Sequence, residues 1–320
     1  MKNYIKASLP FVSIIIPCRN EEKFIGKCLD TILSQDYPKE NLEVLVVDGM
    51  SDDKTREIIK GYLEKYSFIK LLDNAKKFTC FAFNIGLKAS RGEIIILMGA
   101  HAGYKKDYVS KCVRYLKEYG ADNVGGVMKT LPSKNTLWAR AIAITLSYPF
   151  GAGTSYFRVG SAKPRWVDTV FGGCYKREVF DKIGLFNENL IRSQDMEFNL
   201  RLKRAGGKIL LAPDIVNYYY PKSNLKDFFI HNLDDGFWSL YPTKFTKKPF
   251  KLRHYIPLIF VLTLPLSIWP YIPVSLFFSL EIAIKENDLR FLFLMPLAFF
   301  SRHFGYGLGS ILGAIKILTD

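Results

Sequence analysis

The chain has 320 residues, a net charge of +15 and 49% hydrophobic residues, enough for one large domain or a domain with an appendage around a substantial core. The positive balance calls for an anionic surface or a phosphorylated substrate; nucleic acid is set aside, because neither zinc-ligand spacing nor a basic tract interleaved with aromatics occurs. Cys18, Cys28, Cys80, Cys112 and Cys174 are scattered and form no CxxC pair, which excludes a metal cluster or a disulfide framework and suits free thiols in a reducing compartment.

The first ten residues, MKNYIKASLP, lack a long apolar core, so no secretory signal is expected. Val12–Ile16 reads as a buried strand ended by Pro17, and Glu21–Ser34 as a helix. Val44–Val47 is a second strand, closed by Asp48 and Gly49, with a helix over Lys54–Tyr66. Phe68–Leu72 is a weaker strand, Phe78–Ala89 a helix, Glu93–Met98 a third strong strand ending in Gly99-Ala100-His101, and Asp107–Glu118 a further helix. This alternation predicts a mostly parallel α/β sheet, and ligands of such sheets bind beyond the carboxyl ends of the strands. Those ends carry Arg19 with Glu21, Asp48 with Ser51, and His101, which could face one pocket; polar loops are the plain alternative.

Between Val124 and Gly173 periodicity is poor and glycines are many, so irregular strands and a loop over the substrate are expected. Gly172-Gly173 allow either a ligand's close approach or a strand bulge. Lys176–Ile183 reads as a helix. Another is expected to start at Gln194, capped by Ser193 and stopped by Gly206-Gly207. Asp195 and Glu197 in its first turn point to different sides. Asp195 is taken as the acid aimed at a reaction centre, with Arg201, Phe198, Leu200 and Leu202 as anchors; acids serving the helix dipole are the alternative.

From Gly236 to Leu280 no acidic residue occurs, and Lys244, Lys247, Lys248, Lys251 and Arg253 precede 26 uncharged residues, Tyr255–Leu280. That length crosses a bilayer core of about 30 Å, although Pro257, Pro265, Pro270 and Pro273 would kink it. Phe291–Ile315 is a second apolar stretch, in which Arg302 and His303 must face protein or water or mark an interfacial segment. Spans are expected at 255–283 and 291–317. The basic cluster predicts a multi-pass protein of the cell membrane with its large domain cytoplasmic.

The motifs VSIIIPCRNEE, VLVVDGMSDDKT, NIGLKASRGEIIILMGAH, FGGCYKREVFDKIGLFNENL and QDMEFNLRLKRAGG together resemble, in order, those of family 2 inverting glycosyltransferases of the GT-A fold, over about Val12–Tyr220. The succinoglycan-biosynthesis type of membrane-associated transferase is the most similar. The resemblance implies a GT-A domain over 1–235, a basic juxtamembrane linker over 236–254 and membrane-associated helices over 255–320. It implies that Pro17, Arg19 and Glu21 line the nucleotide pocket, that Asp48 holds the base beside Ser51, and that Asp195 is the general base. Gly172, Gly173 and Gln194 would border donor or acceptor sugar, as would Trp238, if it is not simply an aromatic anchored at the membrane surface.

The implied substrates are a nucleotide diphosphate sugar, with a UDP-hexose expected, and a lipid-linked glycan acceptor. The family's Asp-x-Asp metal motif is replaced by Gly99-Ala100-His101. A Mg²⁺ or Mn²⁺ cofactor is thus left open: His101 could join a Mn²⁺ site or hydrogen-bond a phosphate directly, and Lys76, Lys77 and Arg192 are candidates to neutralise the diphosphate without metal. The same replacement leaves a nucleotide-sugar-binding or scaffold protein with a decayed site as the alternative function.

Overall fold

A computed structural model describes residues 9–246 and 252–319; the first eight residues of the stretch read for a leader, and Lys247, Lys248 and Lys251 of the basic cluster, lie outside them. Two compact units divide the chain, Met1–Val127 with Ser161–Asn217 and Met128–Gly160 with Tyr218–Asp320.

The chain begins with β1 (Val12–Cys18), α1 (Ile25–Leu33), β2 (Leu42–Asp48), α2 (Thr55–Leu63), β3 (Ile69–Asp73), α3 (Thr79–Ala89), β4 (Ile94–Leu97), β5 (Gly103–Tyr104), α4 (Tyr108–Tyr119) and β6 (Asn123–Thr130). Every predicted strand and helix of this stretch is present, with ends moved by a few residues. The parallel pairing β3-β2-β1-β4 follows from β-branched runs that are apolar on both faces: Ile14, Ile15 and Ile16 in β1 and Val44 through Val47 in β2 are fully buried, as a sheet covered by helices on both sides requires.

After β6 come α5 (Leu137–Ser147), the short α6 (Pro149–Ala152) and α7 (Tyr156–Val159), β7 (Arg165–Trp166), β8 (Phe171–Lys176), α8 (Glu178–Ile183), α9 (Gln194–Arg204) and β9 (Ile209–Tyr219). The sheet continues from β4 through β8, β6 and β9 to β5, with β7 on β9, and β8 runs antiparallel to both β4 and β6. It is therefore a mixed α/β sheet, parallel only in its first half. Glycines in β6 and β8 hide the alternation that marks a strand, which is why 124–173 reads as irregular. The α5 helix in that region is capped by Thr136, whose hydroxyl accepts from the Ala139 amide at 3.2 Å.

In the second unit α10 (Leu225–Leu240) and α11 (Thr243–Thr246) precede α12 (Ile256–Leu262), α13 (Leu264–Lys285) and α14 (Phe291–Thr319). Pro265 breaks the first apolar stretch at Thr263 by removing a backbone donor, while Pro270 and Pro273 lie inside α13. Of the two expected crossings, the first coincides with a candidate span and the second does not. Among the described residues only Leu264–Lys285 is long and apolar enough to cross a membrane, with mean hydropathy 1.4. The helix at the second expected span, α14, packs lengthwise on the amphipathic α10, and its interior groups face protein. Arg302 donates to Asn232 and, at 3.2 Å, to Asp235, and His303 meets the Tyr271 hydroxyl at 3.0 Å and the Phe150 carbonyl at 2.9 Å.

The approach of α10 and α14 is close enough to exclude side chains at the crossing. A Cβ on Gly309 would lie 1.9 Å from the Leu233 carbonyl oxygen, so Gly309→Val must part the two backbones, at a cost of about 1–3 kcal/mol or more. Thermal melting is expected to fall by about 2 °C or more; an unchanged melting temperature would show that the helices do not pack as described.

Candidate active site

At the carboxyl ends of β1 and β2, two loops are laced together by short polar side chains. Asn20, held at a φ of +55°, donates its amide to Ser51 Oγ at 2.9 Å and its side-chain nitrogen to Asp52 at 2.8 Å. The Glu21 amide donates to Thr55 Oγ1 at 2.7 Å. Asp48 is fully buried and accepts from the Ser51 amide at 3.0 Å, Ser51 Oγ at 2.5 Å and Arg56 Nη1 at 2.7 Å. A second arm of Arg56 reaches Asp73 at the end of β3, at 2.8 Å, and its hydrogen bond to Asp48 raises the guanidinium pKa further. In this arrangement the Asp48 carboxylate is spent on holding the loop that carries Ser51.

The β3–α3 loop joins the same place. A Cβ on Gly49 would stand 3.2 Å from both Arg19 Cβ and the Lys77 carbonyl oxygen. Three strand-end loops therefore converge around Gly49, with Arg19, Lys76 and Lys77 exposed and positive charge gathered where a diphosphate would need it. From the end of β4, His101 Nδ1 lies 3.2 Å from Glu21 Oε1. The expected nucleotide residues and His101 are thus neighbours.

Asp195 lies in the first turn of α9, half-buried, its Oδ1 accepting from the Met196 amide at 2.9 Å. Ser193 does not cap this helix as expected: it adopts a left-handed φ of +59° and makes no side-chain capping bond. The Gly206 end, at a φ of +83°, is as expected. Glu197 points the other way, buried, with Arg201 Nε at 2.6 Å, and Arg201 also donates to the Ile183 and Leu185 carbonyls. Asn199, fully buried, receives the Asn123 side-chain amide at 2.9 Å and the Tyr175 hydroxyl at 3.3 Å. This clamp fixes α9 on β6 and β8 and leaves Asp195 on the helix rim. Burial, then the negative charge of Asp195, pushes the Tyr175 phenol pKa up, so the carboxylate acts on a ring two residues after the glycine pair.

A Cβ at Gly172 would fall 2.9 Å from the Leu97 carbonyl oxygen at the end of β4, and one at Gly173 2.3 Å from the Tyr175 ring. Of the two readings the pair allows, protein packing already demands glycine. Through Leu97 the glycine pair is tied to the same end of the sheet as His101. Gln194 Oε1 is buried without a hydrogen-bond partner among the described residues. Trp238 belongs to α10 in the second unit, edge-on to Phe237 and Tyr241 with ring centroids 5.4 and 5.5 Å away. The sequence reading missed Asn20, Thr55, Arg56 and Asn199, whose roles depend on partners up to 76 residues away.

No group of three His, Cys, Asp or Glu side chains among the described residues could hold a metal. Glu21 and His101 offer one oxygen and one imidazole nitrogen, a set that suits Mn²⁺ better than Mg²⁺ and only if a diphosphate supplies further oxygens. On that basis Glu21→Gln and His101→Ala are each expected to raise the Mn²⁺ concentration for half-maximal nucleotide binding by about tenfold. Calorimetry across a Mn²⁺ series checks this, and unchanged curves in both variants would remove the pair from any cation site.

The sequence profile described as glycosyl transferase family 2 matches residues 13–184. Over 96% of this chain and 98% of the relative, the sequence is 32% identical to the dolichyl N-acetyl-alpha-D-glucosaminyl phosphate 3-beta-D-2,3-diacetamido-2,3-dideoxy-beta-D-glucuronosyltransferase of Methanococcus voltae. It is 28% identical to succinoglycan biosynthesis protein ExoA of Rhizobium meliloti (strain 1021), across 68% of this chain and 65% of that one. Among solved structures it is similar in fold to the mannosyltransferase PcManGT of Pyrobaculum calidifontis in complex with GDP-Man and Mn²⁺, with TM-score 0.63 and 21% identity over 98% of this chain and 88% of that chain.

Proposed function

The chain belongs to glycosyl transferase family 2, an enzyme family, and from that premise we propose a membrane-associated, inverting transferase that moves a hexose unit from a UDP-sugar to a lipid-linked glycan in cell-surface polysaccharide assembly. The observation that carries the reading is the division of labour on α9. Glu197 is bound to Arg201 and turned into the protein, and Asp195, half-buried in the same first turn, bears by its charge on Tyr175 next to the glycine strand.

Asp195 takes the proton of the acceptor hydroxyl as that oxygen attacks the anomeric carbon. The new glycosidic bond forms while the bond to the diphosphate oxygen breaks, and UDP leaves with the electron pair. One displacement inverts the carbon. Arg19, Lys76, Lys77 and Arg192 face the diphosphate, Pro17 and Glu21 line the nucleotide, and Asp48 shapes the base pocket through Ser51. The orphan oxygen of Gln194 is suited to accept a sugar hydroxyl. A Mn²⁺ shared between Glu21, His101 and the diphosphate would draw charge from the leaving group.

Two observations support a lipid-linked acceptor and a membrane location. The Methanococcus voltae relative is named for an acceptor on dolichyl phosphate. The helix α13 leaves Leu266, Trp269 and Phe277 77%, 74% and 65% exposed, apolar area that a bilayer would cover. In this reading a catalytic domain over 1–235 and a basic linker over 236–254 precede membrane-associated helices over 255–320, with the domain cytoplasmic. The test is release of UDP from a panel of UDP-sugars with a detergent-solubilised lipid-linked acceptor, and its loss in Asp195→Asn. Nucleotide binding with no turnover across the panel would leave a nucleotide-sugar-binding protein instead.

A further inference from the structure

The second unit contains a cavity of about 400 Å³ that the transfer chemistry does not use, formed by the α6 segment, α12, α13 and α14. Its polar wall includes Arg253, His254, Arg302 and Tyr306, and its apolar wall Ile256 and Phe260. The polar wall is fixed from behind. His254 Nδ1 meets the Tyr306 hydroxyl at 3.2 Å, and Arg302 lies over the Tyr306 ring at 5.4 Å. Arg302 uses only Nη1 for its bonds to Asn232 and Asp235, so its other nitrogens have no hydrogen bond among the described residues.

The described lining carries Arg253 and Arg302 and no carboxylate. Arg158 is close enough to feel the like charge of Arg302, with Asp235 as the opposing carboxylate, and its Nη1 is buried with no hydrogen-bond partner among the described residues. The Arg302 guanidinium on the wall thus keeps donors beyond its bonds to Asn232 and Asp235, a condition under which an anion with several oxygens binds. The apolar wall continues outward. Ile256 lines the cavity yet is 59% exposed, and Ile259 and Leu262 on the same helix are 51% and 64% exposed.

We propose that this cavity binds the phosphate of a phosphorylated long-chain lipid, with the chain leaving along α12. The site is built from side chains of the second unit alone, so it is distinct from the residues assigned to the nucleotide. As the seat of the acceptor's lipid phosphate it rests on the lipid-linked acceptor proposed above.

Calorimetry with the full chain in neutral detergent tests it, using farnesyl phosphate, farnesol and inorganic phosphate as probes. Farnesyl phosphate is expected to bind, with neither farnesol nor inorganic phosphate doing so at the same concentrations. Arg302→Gln and Arg253→Gln are each expected to weaken that binding about tenfold or more, with UDP binding unchanged. Arg253, on the short turn Leu252–His254 outside the long helices, keeps the test open should Arg302→Gln fail to fold. Equal binding of farnesol, equal binding of inorganic phosphate, or unchanged affinity in the variants that fold would overturn the proposal. If the wild-type chain bound farnesyl phosphate but released no UDP from any donor, the transferase reading would fail and the lipid-phosphate site would stand.

Discussion

Asp195→Asn is expected to reduce sugar transfer by about a hundred- to ten-thousandfold while leaving UDP binding and thermal stability unchanged. The amide keeps the size and the hydrogen bond from the Met196 amide but cannot accept a proton at neutral pH, so the loss falls on the step in which the acceptor hydroxyl is deprotonated. Glu197→Gln provides the contrast. That carboxylate is buried against Arg201, so its loss is expected to lower the melting temperature through an uncompensated guanidinium. Initial rates of UDP release, with nucleotide affinity measured in parallel, separate the two. Turnover of Asp195→Asn within tenfold of wild type would remove Asp195 from the role of base.

Arg56→Leu is expected to destabilise the first unit by about 3 kcal/mol and to abolish nucleotide binding together with it. The Asp48 carboxylate is fully buried and its cationic partner is Arg56, at 2.7 Å with side-chain exposure of 30%. Removing one member of a buried pair strands the other charge. The figure sits at the lower end of the range because water reaches the Arg56 side. The Ser51 loop loses its anchor in the same step, and Asp73 loses its tie to it. Denaturant unfolding and UDP calorimetry on Arg56→Leu and Arg56→Lys measure the effect, with lysine expected to recover part of the stability. A leucine variant that unfolds at the wild-type midpoint and binds UDP normally would show that Asp48 organises nothing.

The parallel half of the sheet was readable because each strand is a short β-branched run and each helix has its own period of apolar residues; such patterns act within a dozen residues and survive any tertiary context. That Asp195 and Glu197 point to different sides was readable for a similar reason, since residues two apart on a helix do not share a face. The partner that holds Glu197 was not. Glu197 became structural because Arg201 could also reach the Ile183 and Leu185 carbonyls, an opportunity created by the end of α8. The bonds of Asp48 to Ser51 and Arg56 were likewise not legible in the sequence.

The amino-acid sequence by itself determined the family, the parallel core β3-β2-β1-β4, the helix bearing the acid and the apolar character of the last third. Tertiary structure alone decided that β8 enters antiparallel, that α14 lies on α10, and which charged groups are spent on protein. These outcomes depend on pairings across long stretches of chain, such as Asn123 with Asn199 or Asp235 with Arg302. The strength of such pairings comes from exclusion of water and from geometry, neither of which leaves a mark on neighbouring positions in the chain.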